Sequence, residues 1–357
     1  MKSNRDMTAA TISLQTLPPA QAHFCLKIEK ICRSKLNIAP GEKILLAISG
    51  GADSVALLLV LHILSDRLGI ELDAMHINHG LRPNAAKDEA FVAELCHKLG
   101  ISLKIAKADV AEIARVKSCG VEEAGRLVRY DLLQKQALAS NASHILTGHH
   151  IGDLAEDILM RLMRGAAWPA LGGMAWRNGN IGRPFLHEDP EDLRKLVSAC
   201  NLKWREDESN QSLTFRRNRI RHIFMPMLRC ENPSFNMAAS RLHAQAELDA
   251  QYWAEETRKA LEKNPWQEIN QNGEIRLDLG KKLLQSVHPA LRMRIFNMAL
   301  QRLRELGKCP GQNTSDSLAA VNGLYQTHTG NKIIQCAGGI RASYRKGGIS
   351  LYLARSD

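Results

Sequence analysis

The chain has 357 residues, a formal net charge of +11 and a sequence pI of about 9.3. This length allows about two or three domains, and the charge favours a polyanionic partner such as nucleic acid over a merely basic surface. No apolar run reaches the ~18 residues of a membrane span. None of the eight cysteines forms a C-x-x-C pair, which argues against a zinc site or redox pair and favours a cytoplasmic protein.

Strands and helices alternate in the first half of the chain. After a helix at 20–36, residue spacing predicts strands at 43–48, 71–77, 101–109 and 143–150, and helices at 54–67, 84–100, 121–140 and 153–165. This order is typical of an α/β fold with a doubly wound, mostly parallel sheet.

The pattern changes after residue 215, where helices follow one another without strands. The last segment contains helices and then "KIIQCAGGIRASYRKGGISLYLAR", which indicates short strands with glycine-rich turns. We therefore predict a leader and helix over 1–39, an α/β domain over 40–215, a helical linker domain over 216–270 and a small α+β domain over 271–357.

Three polar loops follow strands of the predicted sheet, at 49–54, 76–82 and 149–153. Ligands of parallel sheets bind at the carboxyl ends of strands, near the switch in strand order. We expect the three loops to converge there. His76 and Arg82 can reach phosphates or an adenine ring, and the alternative is that they cap their loop.

The first of these loops, Ser49-Gly50-Gly51-Ala52-Asp53-Ser54, has the features of a phosphate cradle. Its two glycines let backbone N–H groups approach an anion, and the following helix directs its positive end there. The lysine of the common P-loop is missing, which favours pyrophosphate over a transferred γ-phosphoryl group. Asp53 can hold Mg²⁺. The alternative is an ordinary turn with Asp53 or Ser54 as helix N-cap.

Two further groups of charged residues are candidates. Asp153, Glu156 and Asp157 share one helix face and can bind a metal or an ammonium group, although acids are also favoured in any first helical turn, and Asp157 can pair with Arg161. A basic run can bind phosphate or form a solvated helix; it contains Arg216, Arg217, Arg219 and Arg221.

Several segments in order resemble the tRNA(Ile)-lysidine synthetase family of the PP-loop ATP pyrophosphatase superfamily. They are "SGGADS" (49–54), "MHINHGLRPNAAKDEAFVAELCHKLGI" (75–101), "GVEEAGRLVRYDLL" (120–133), "TGHH" (147–150), "RPFL" (183–186), "WREDESN" (204–210) and "FRRNRIRHIFMPML" (215–228). The resemblance is dense over about residues 40 to 230.

This resemblance implies a two-step reaction on tRNA(Ile) with a CAU anticodon. ATP adenylates O2 of the wobble cytidine and releases pyrophosphate, and the ε-amino group of free lysine then attacks C2 and releases AMP. The implied catalytic residues are Asp53, Asp153, Glu156 and Arg126, and the implied Mg²⁺ ligands are Asp53 and Asp153. Implied nucleotide contacts come from residues 49–54, His76, Arg82 and His149. Implied tRNA contacts come from Arg129, Arg216, Arg217, Arg219 and Arg221. The resemblance also implies that 40–215 is the PP-loop catalytic domain and that 216–270 and 271–357 bind tRNA.

The chain departs from the family pattern H-H-x-D-D-x-A-E-T. Gly152 replaces the first acid, and Asp157 replaces the threonine. A non-catalytic or altered-specificity PP-loop relative that binds tRNA therefore stays open. A sulfur-transferring PP-loop enzyme is disfavoured because it typically needs C-x-x-C pairs. The sequence leaves the choice between monomer and homodimer open.

Overall fold

The computed structural model describes residues 12–78, 85–118, 120–205, 213–271, 274–307, 309, 315–330 and 332–353. The chain divides into two compact units. The first ends at Ala244, and the second begins at Gln245 and also contains Ala167–Pro169. The predicted division into four segments stays a prediction. Within the described ranges, no helix is long and apolar enough to cross a membrane.

The first unit contains the predicted strands and helices, together with elements at 110–117, 177–182 and 190–199 that were not predicted. The strands are β1 (Lys43–Ala47), β2 (Glu71–Asn78), β3 (Ser102–Lys107), β4 (His144–Leu146), β5 (Arg177–Asn178) and β6 (Ile181–Gly182). The helices are α1 (Pro19–Ser34), α2 (Ala52–Leu68), α3 (Ala85–Lys98), α4 (Val110–Lys117), α5 (Val121–Ala139), α6 (Ile151–Met163), α7 (Pro190–Ala199), α8 (Arg216–Arg219) and α9 (Met225–Glu231). A π-helical turn at Ile220–Phe224 joins α8 to α9, and α10 (Phe235–Lys263) continues into the second unit.

The sheet of the first unit has the strand order β3-β2-β1-β4-β6-β5 and is parallel except for β5. Successive side chains of a strand point to opposite faces. Ile44 and Leu46 of β1 accordingly join the core that contains Leu57 of α2, whereas Leu45 joins a second core with Leu133 of α5. Helices therefore cover both faces, which confirms the doubly wound prediction.

The strand order reverses at β1, which lies between β2 and β4. The neighbouring strands β1 and β4 stand on the two sides of this switch in strand order, which is where ligands of doubly wound sheets bind. The loop 49–54 and the segment 147–150 begin at these two strand ends. The predicted loop 49–54 and the segment 147–150 therefore lie next to each other, at the carboxyl ends of β1 and β4.

The second unit contains a five-stranded antiparallel sheet in the order β7-β8-β11-β10-β9. Its elements are β7 (Gln267–Gln271), β8 (Glu274–Leu279), α11 (Lys281–Gln285), α12 (Pro289–Gly307), α13 (Ser315–Thr327), β9 (Ile333–Gln335), β10 (Ile340–Arg345) and β11 (Gly348–Leu353). Leu277 and Leu351 of the sheet form one core with Phe296 of α12 and Val321 of α13. This confirms the predicted small α+β domain.

The hairpin of β7 and β8 was not among the predicted elements. Its residues alternate polar and apolar side chains, so that Leu277 and Leu279 are buried while Arg276 and Asp278 pair with each other by a 3.1 Å contact. Such alternation is weaker than the apolar runs of the first sheet, because only one face is covered by helices.

Candidate active site

A cavity of about 850 Å³ lies at the carboxyl edge of the first sheet. This size is within the range that holds drug-sized ligands and cofactors. The predicted site residues that line it are Ser49, Gly51, Ala52, Asp53, Ser54, His76, Arg129, His149, Glu156 and Arg221. The lining does not include Gly50, Arg126, Asp153, Arg216, Arg217 or Arg219. Arg82 lies outside the described residues.

The loop 49–54, called here the phosphate loop, is held by one buried hydroxyl. Ser54 Oγ accepts hydrogen bonds from the N–H groups of Ser49 at 3.2 Å and Gly50 at 3.0 Å, and it donates to the carbonyl of Gly51 at 2.9 Å. Ser49 Oγ lies 3.1 Å from Ser54 Oγ. Ser54 therefore fixes the shape of the loop from within.

The start of α2 offers backbone donors to an anion. Gly51 is the N-cap without a side-chain cap, and the N–H of Val55 is the first to donate to it, at 3.0 Å from the Gly51 carbonyl. The N–H groups of residues 52–54 precede the first intrahelical bond and have no helical acceptor. Together with the helix dipole, these N–H groups can bind an anion in the cavity that residues 52–54 line.

Two glycines are required by the geometry around this loop. Gly50 has φ +92°, in the left-handed region that side chains rarely adopt. At Gly148, which follows β4, an added Cβ would lie 2.9 Å from the backbone oxygen of Asp53. Only glycine lets the loop after β4 pack directly on the phosphate loop, and this brings residues 147–150 into the site.

Asp53 is the acid of the phosphate loop. Burial raises the pKa of its carboxyl above the ordinary value, and His150, whose Nε2 is 3.7 Å from Asp53 Oδ2, opposes this shift. Asp53 Oδ1 is buried and has no hydrogen-bond partner among the described residues. A buried oxygen of this kind fits Mg²⁺, which is usually held by one or two carboxylates, waters and substrate phosphates.

Two histidines of the cavity are anchored through Nδ1. His76 Nδ1 is 2.9 Å from the carbonyl of Ile48 and must donate to it, which fixes the proton on that nitrogen. His149 Nδ1 is 2.8 Å from Thr147 Oγ1. Burial lowers the pKa of His149 to about 3, so its imidazole is neutral at neutral pH.

The first turn of α6 is closed by a capping box. The N–H of Gly152 donates to His150 Nδ1, and the N–H of His150 donates to Asp153 Oδ2, both at 3.0 Å. Burial alone would raise the pKa of Asp153, but His150 and Arg217 hold it well below its ordinary value. Asp153 is therefore ionised and held by the helix start.

Asp153 and Glu156 form an acid–arginine cluster with Arg217 and Arg221. Asp153 Oδ1 accepts from Arg217 at 2.7 Å and from Arg221 at 2.9 Å. Glu156 accepts from Arg217 Nε at 3.0 Å and from Arg221 Nε at 2.6 Å. Two buried acids and two cations cancel in formal charge, and the cluster ties α6 to residues 216–231.

This cluster bears on two of the predicted roles. The metal role of Asp153 stays a prediction, and in this structure its two oxygens accept hydrogen bonds from two arginines and one backbone N–H. The phosphate role of Arg217 and Arg221 also stays a prediction, and their guanidinium groups contact acids. Asp157 pairs with Arg161 at 2.7 Å, as its alternative reading expected.

The other predicted basic residues lie in separate settings. Arg126 packs against the ring of Tyr130 at 5.8 Å, and Arg129 faces the cavity from the same helix. Arg219 donates to the carbonyls of residues 213 and 214, and Arg216 is exposed. Their tRNA contacts stay predictions.

Three cavity arginines were not singled out from the sequence: Arg194, Arg205 and Arg229. The N–H of Arg205 donates to the Gly50 carbonyl at 2.9 Å, and its Nε contacts Asp88 at 2.8 Å. It therefore fastens the chain at residue 205, in the described part of the motif "WREDESN", to the phosphate loop. The motif was a signal for Arg205, whereas nothing in the sequence shows which face of α7 or α9 meets the cavity.

Among described residues, no group of three or more His, Cys, Asp or Glu side chains is placed to hold a metal ion.

Fold, loop and cavity define a PP-loop enzyme that uses ATP, and residues 21–228 match the family model described as a PP-loop domain. The chain belongs to the tRNA(Ile)-lysidine synthase family. It is 40% identical to the tRNA(Ile)-lysidine synthase of Nitratidesulfovibrio vulgaris over 316 residues, which cover 85% of this chain and 90% of that protein.

Other relatives agree with this assignment. The tRNA(Ile)-lysidine synthase of Petrotoga mobilis is 36% identical over 219 residues, or 61% of this chain and 70% of that protein. The solved U34-tRNA thiolase NcsA from Methanococcus maripaludis, with its [4Fe-4S] cluster, superimposes with a TM-score of 0.53 at 16% identity. It covers 63% of this chain and 79% of its own, and it supports the fold alone. The predicted family is confirmed.

Proposed function

We propose that this protein is an ATP-dependent ligase that joins lysine to C2 of the wobble cytidine of tRNA(Ile) with a CAU anticodon. The observation that carries the proposal is the phosphate loop, which opens into one cavity together with the acid–arginine cluster. The phosphate loop is suited to polyphosphate, and the carboxylates of the cluster are the groups that can orient an amine. Family membership gives the reaction that joins them.

In the first step the cytidine O2 attacks the α-phosphorus of ATP, and the bond to pyrophosphate breaks. The N–H groups of residues 52–54 stabilise the departing pyrophosphate, because they are fixed before the reaction begins. Asp53 would hold Mg²⁺ through its buried oxygen, and the ion would neutralise phosphate charge. The ion pair between Arg205 and Asp88 holds the chain at residue 205 beside the phosphate loop.

In the second step the lysine ε-amine attacks C2, the C2–O2 bond breaks and AMP leaves with that oxygen. The amine must lose a proton to attack. Asp153 and Glu156 can orient it, and the neighbouring Arg217 and Arg221 disfavour its charged form. Holding all reactants at one sheet edge supplies the proximity that the reaction needs.

The tRNA is recognised in part by charge. The net charge of +11 attracts a polyanion, and each phosphate contact releases counterions. Three candidate contacts have no ion pair with a described acid: Arg129 at the cavity, the exposed Arg216, and Arg219, which contacts backbone carbonyls. A homodimer stays a prediction.

The test combines ATP, Mg²⁺, labelled lysine and a tRNA(Ile) transcript with a CAU anticodon. Label incorporation and AMP release are followed together, with Asp53→Asn as the matched variant that keeps the shape of the side chain. Labelled tRNA and AMP in equal amounts, both strongly reduced by Asp53→Asn, are expected. AMP release without label would overturn lysine as the amine, and neither product with tRNA still bound would support a non-catalytic relative.

A further inference from the structure

Gly152 stands where the family pattern has an acid, and its surroundings are unusual. A Cβ added at Gly152 would lie 2.8 Å from His150 Cε1 and 3.8 Å from Arg229 Nη2. The imidazole of His150 thus occupies the place of a side chain at position 152, and a guanidinium group lies just beyond it. An acid at this position would have been the natural partner of that arginine.

Besides Arg129, two arginines line the cavity without an ion pair to a described carboxylate. Arg194 on α7 and Arg229 on α9 both line it, and neither has a carboxylate within 4.0 Å among the residues that the structure describes. Arg229 Nη2 donates a 3.4 Å hydrogen bond to Asn236 Oδ1. In contrast, Arg205, Arg217 and Arg221 of the same site all pair with acids.

Unpaired guanidinium groups in a concave site are the usual receptors of carboxylate and phosphate oxygens. Arg194 is close enough to act electrostatically on Asp53, so the pair extends from the phosphate loop to the start of α6. An acid at position 152 would both repel an incoming anion and occupy Arg229. Glycine removes both obstacles.

We propose that Gly152, Arg194 and Arg229 form a subsite that binds an anionic group of a substrate through carboxylate or phosphate oxygens. The subsite rests on the proposed function for the identity of that group. The reaction supplies two candidates, the α-carboxylate of lysine and the pyrophosphate of ATP. The distinction between them is experimental, since both present the same oxygens to a guanidinium fork.

Binding to the full-length protein is measured by calorimetry with two separate probes, inorganic pyrophosphate with Mg²⁺ and L-lysine. The variants are Arg194→Gln, Arg229→Gln and the pair Gly152→Asp and Gly152→Asn. Asp and Asn have the same shape, so the contact with His150 cancels and only the charge differs. Lys195→Gln on α7 is the control for loss of a cation outside the cavity.

Gly152→Asp is expected to lower the affinity for one of the two probes about tenfold or more relative to Gly152→Asn. Arg229→Gln and Arg194→Gln are expected to lower the affinity for the same probe. Weaker pyrophosphate binding assigns phosphate, and weaker lysine binding assigns the carboxylate. Equal affinities in all variants, or no binding of either probe to the unmodified protein, would overturn the subsite. Lysidine formation is measured in parallel, so arginine-dependent binding without product would overturn the proposed function and leave the subsite.

Discussion

Replacing Glu156 by glutamine tests whether the acid–arginine cluster exists in solution. The Glu156 side chain is only 4% exposed, and it accepts three hydrogen bonds of 2.6 to 3.0 Å from Arg217 and Arg221. Removing one partner of a buried ion pair destabilises a protein by about 3–5 kcal/mol. The two arginines are 28% and 33% exposed, so water compensates part of this loss. We expect about 2–3 kcal/mol.

The assay is urea unfolding followed by circular dichroism, with thermal unfolding as a second measurement. The expected loss lowers the Tm by about 4–12 °C for a unit of this size. Glu191→Gln, which removes an exposed pair with Lys195, is the matched control and should leave the stability essentially unchanged. A double-mutant cycle with Arg217→Gln should give a coupling of about 1 kcal/mol or more. A Glu156→Gln loss no larger than that of the control would refute the cluster.

Three further results are expected. Burial and the adjacent His243 lower the pKa of His187 to about 4. The folded protein should therefore lose stability as the pH falls from about 6.5 towards 4, because the unfolded chain binds the proton first. A midpoint of the His187 imidazole titration near 6.5 by NMR would contradict this. Gly148→Ala should reduce the rate of ATP–pyrophosphate exchange at least about tenfold, because the added methyl group displaces Asp53. The control Gly323→Ala, whose added methyl group meets no atom within 4 Å, should leave the rate unchanged. Equal exchange rates in the two variants would disprove the close approach of Gly148 to Asp53. Affinity for tRNA should fall at least about tenfold between 50 and 200 mM salt, and a flat profile would rule out phosphate contacts as its main source.

The parallel sheet and the place of the site were predictable because both follow from short-range patterns. The apolar run at 43–48 and the glycines after it identify a buried strand and an anion-binding turn within a dozen residues. Alternation with helices then sets the edge at which the loops meet. The polar hairpin at 267–279 was missed because its alternation carries a weaker signal than a continuous apolar run.

The partners of the charged residues were not predictable. Asp153 and Arg217 lie 64 residues apart in the chain, and their 2.7 Å contact depends on how residues 216–231 pack on α6. The sequence also could not show that Arg194 and Arg229 line the cavity, because the side of a helix that faces a cavity depends on how the helix packs. Gly152 was recognisable as a departure from a pattern, but the arginine beside it was not.

The helix that carries the phosphate loop is buried along nearly its whole length, with Val55, Leu58 and Leu61 completely inaccessible. Amide protons of such a helix exchange with solvent only when the whole unit opens. The donors at its start therefore belong to a helix that opens only with the rest of the first unit. The anion-binding end of α2 is thus set in place by the core before a nucleotide arrives, and binding need not order it.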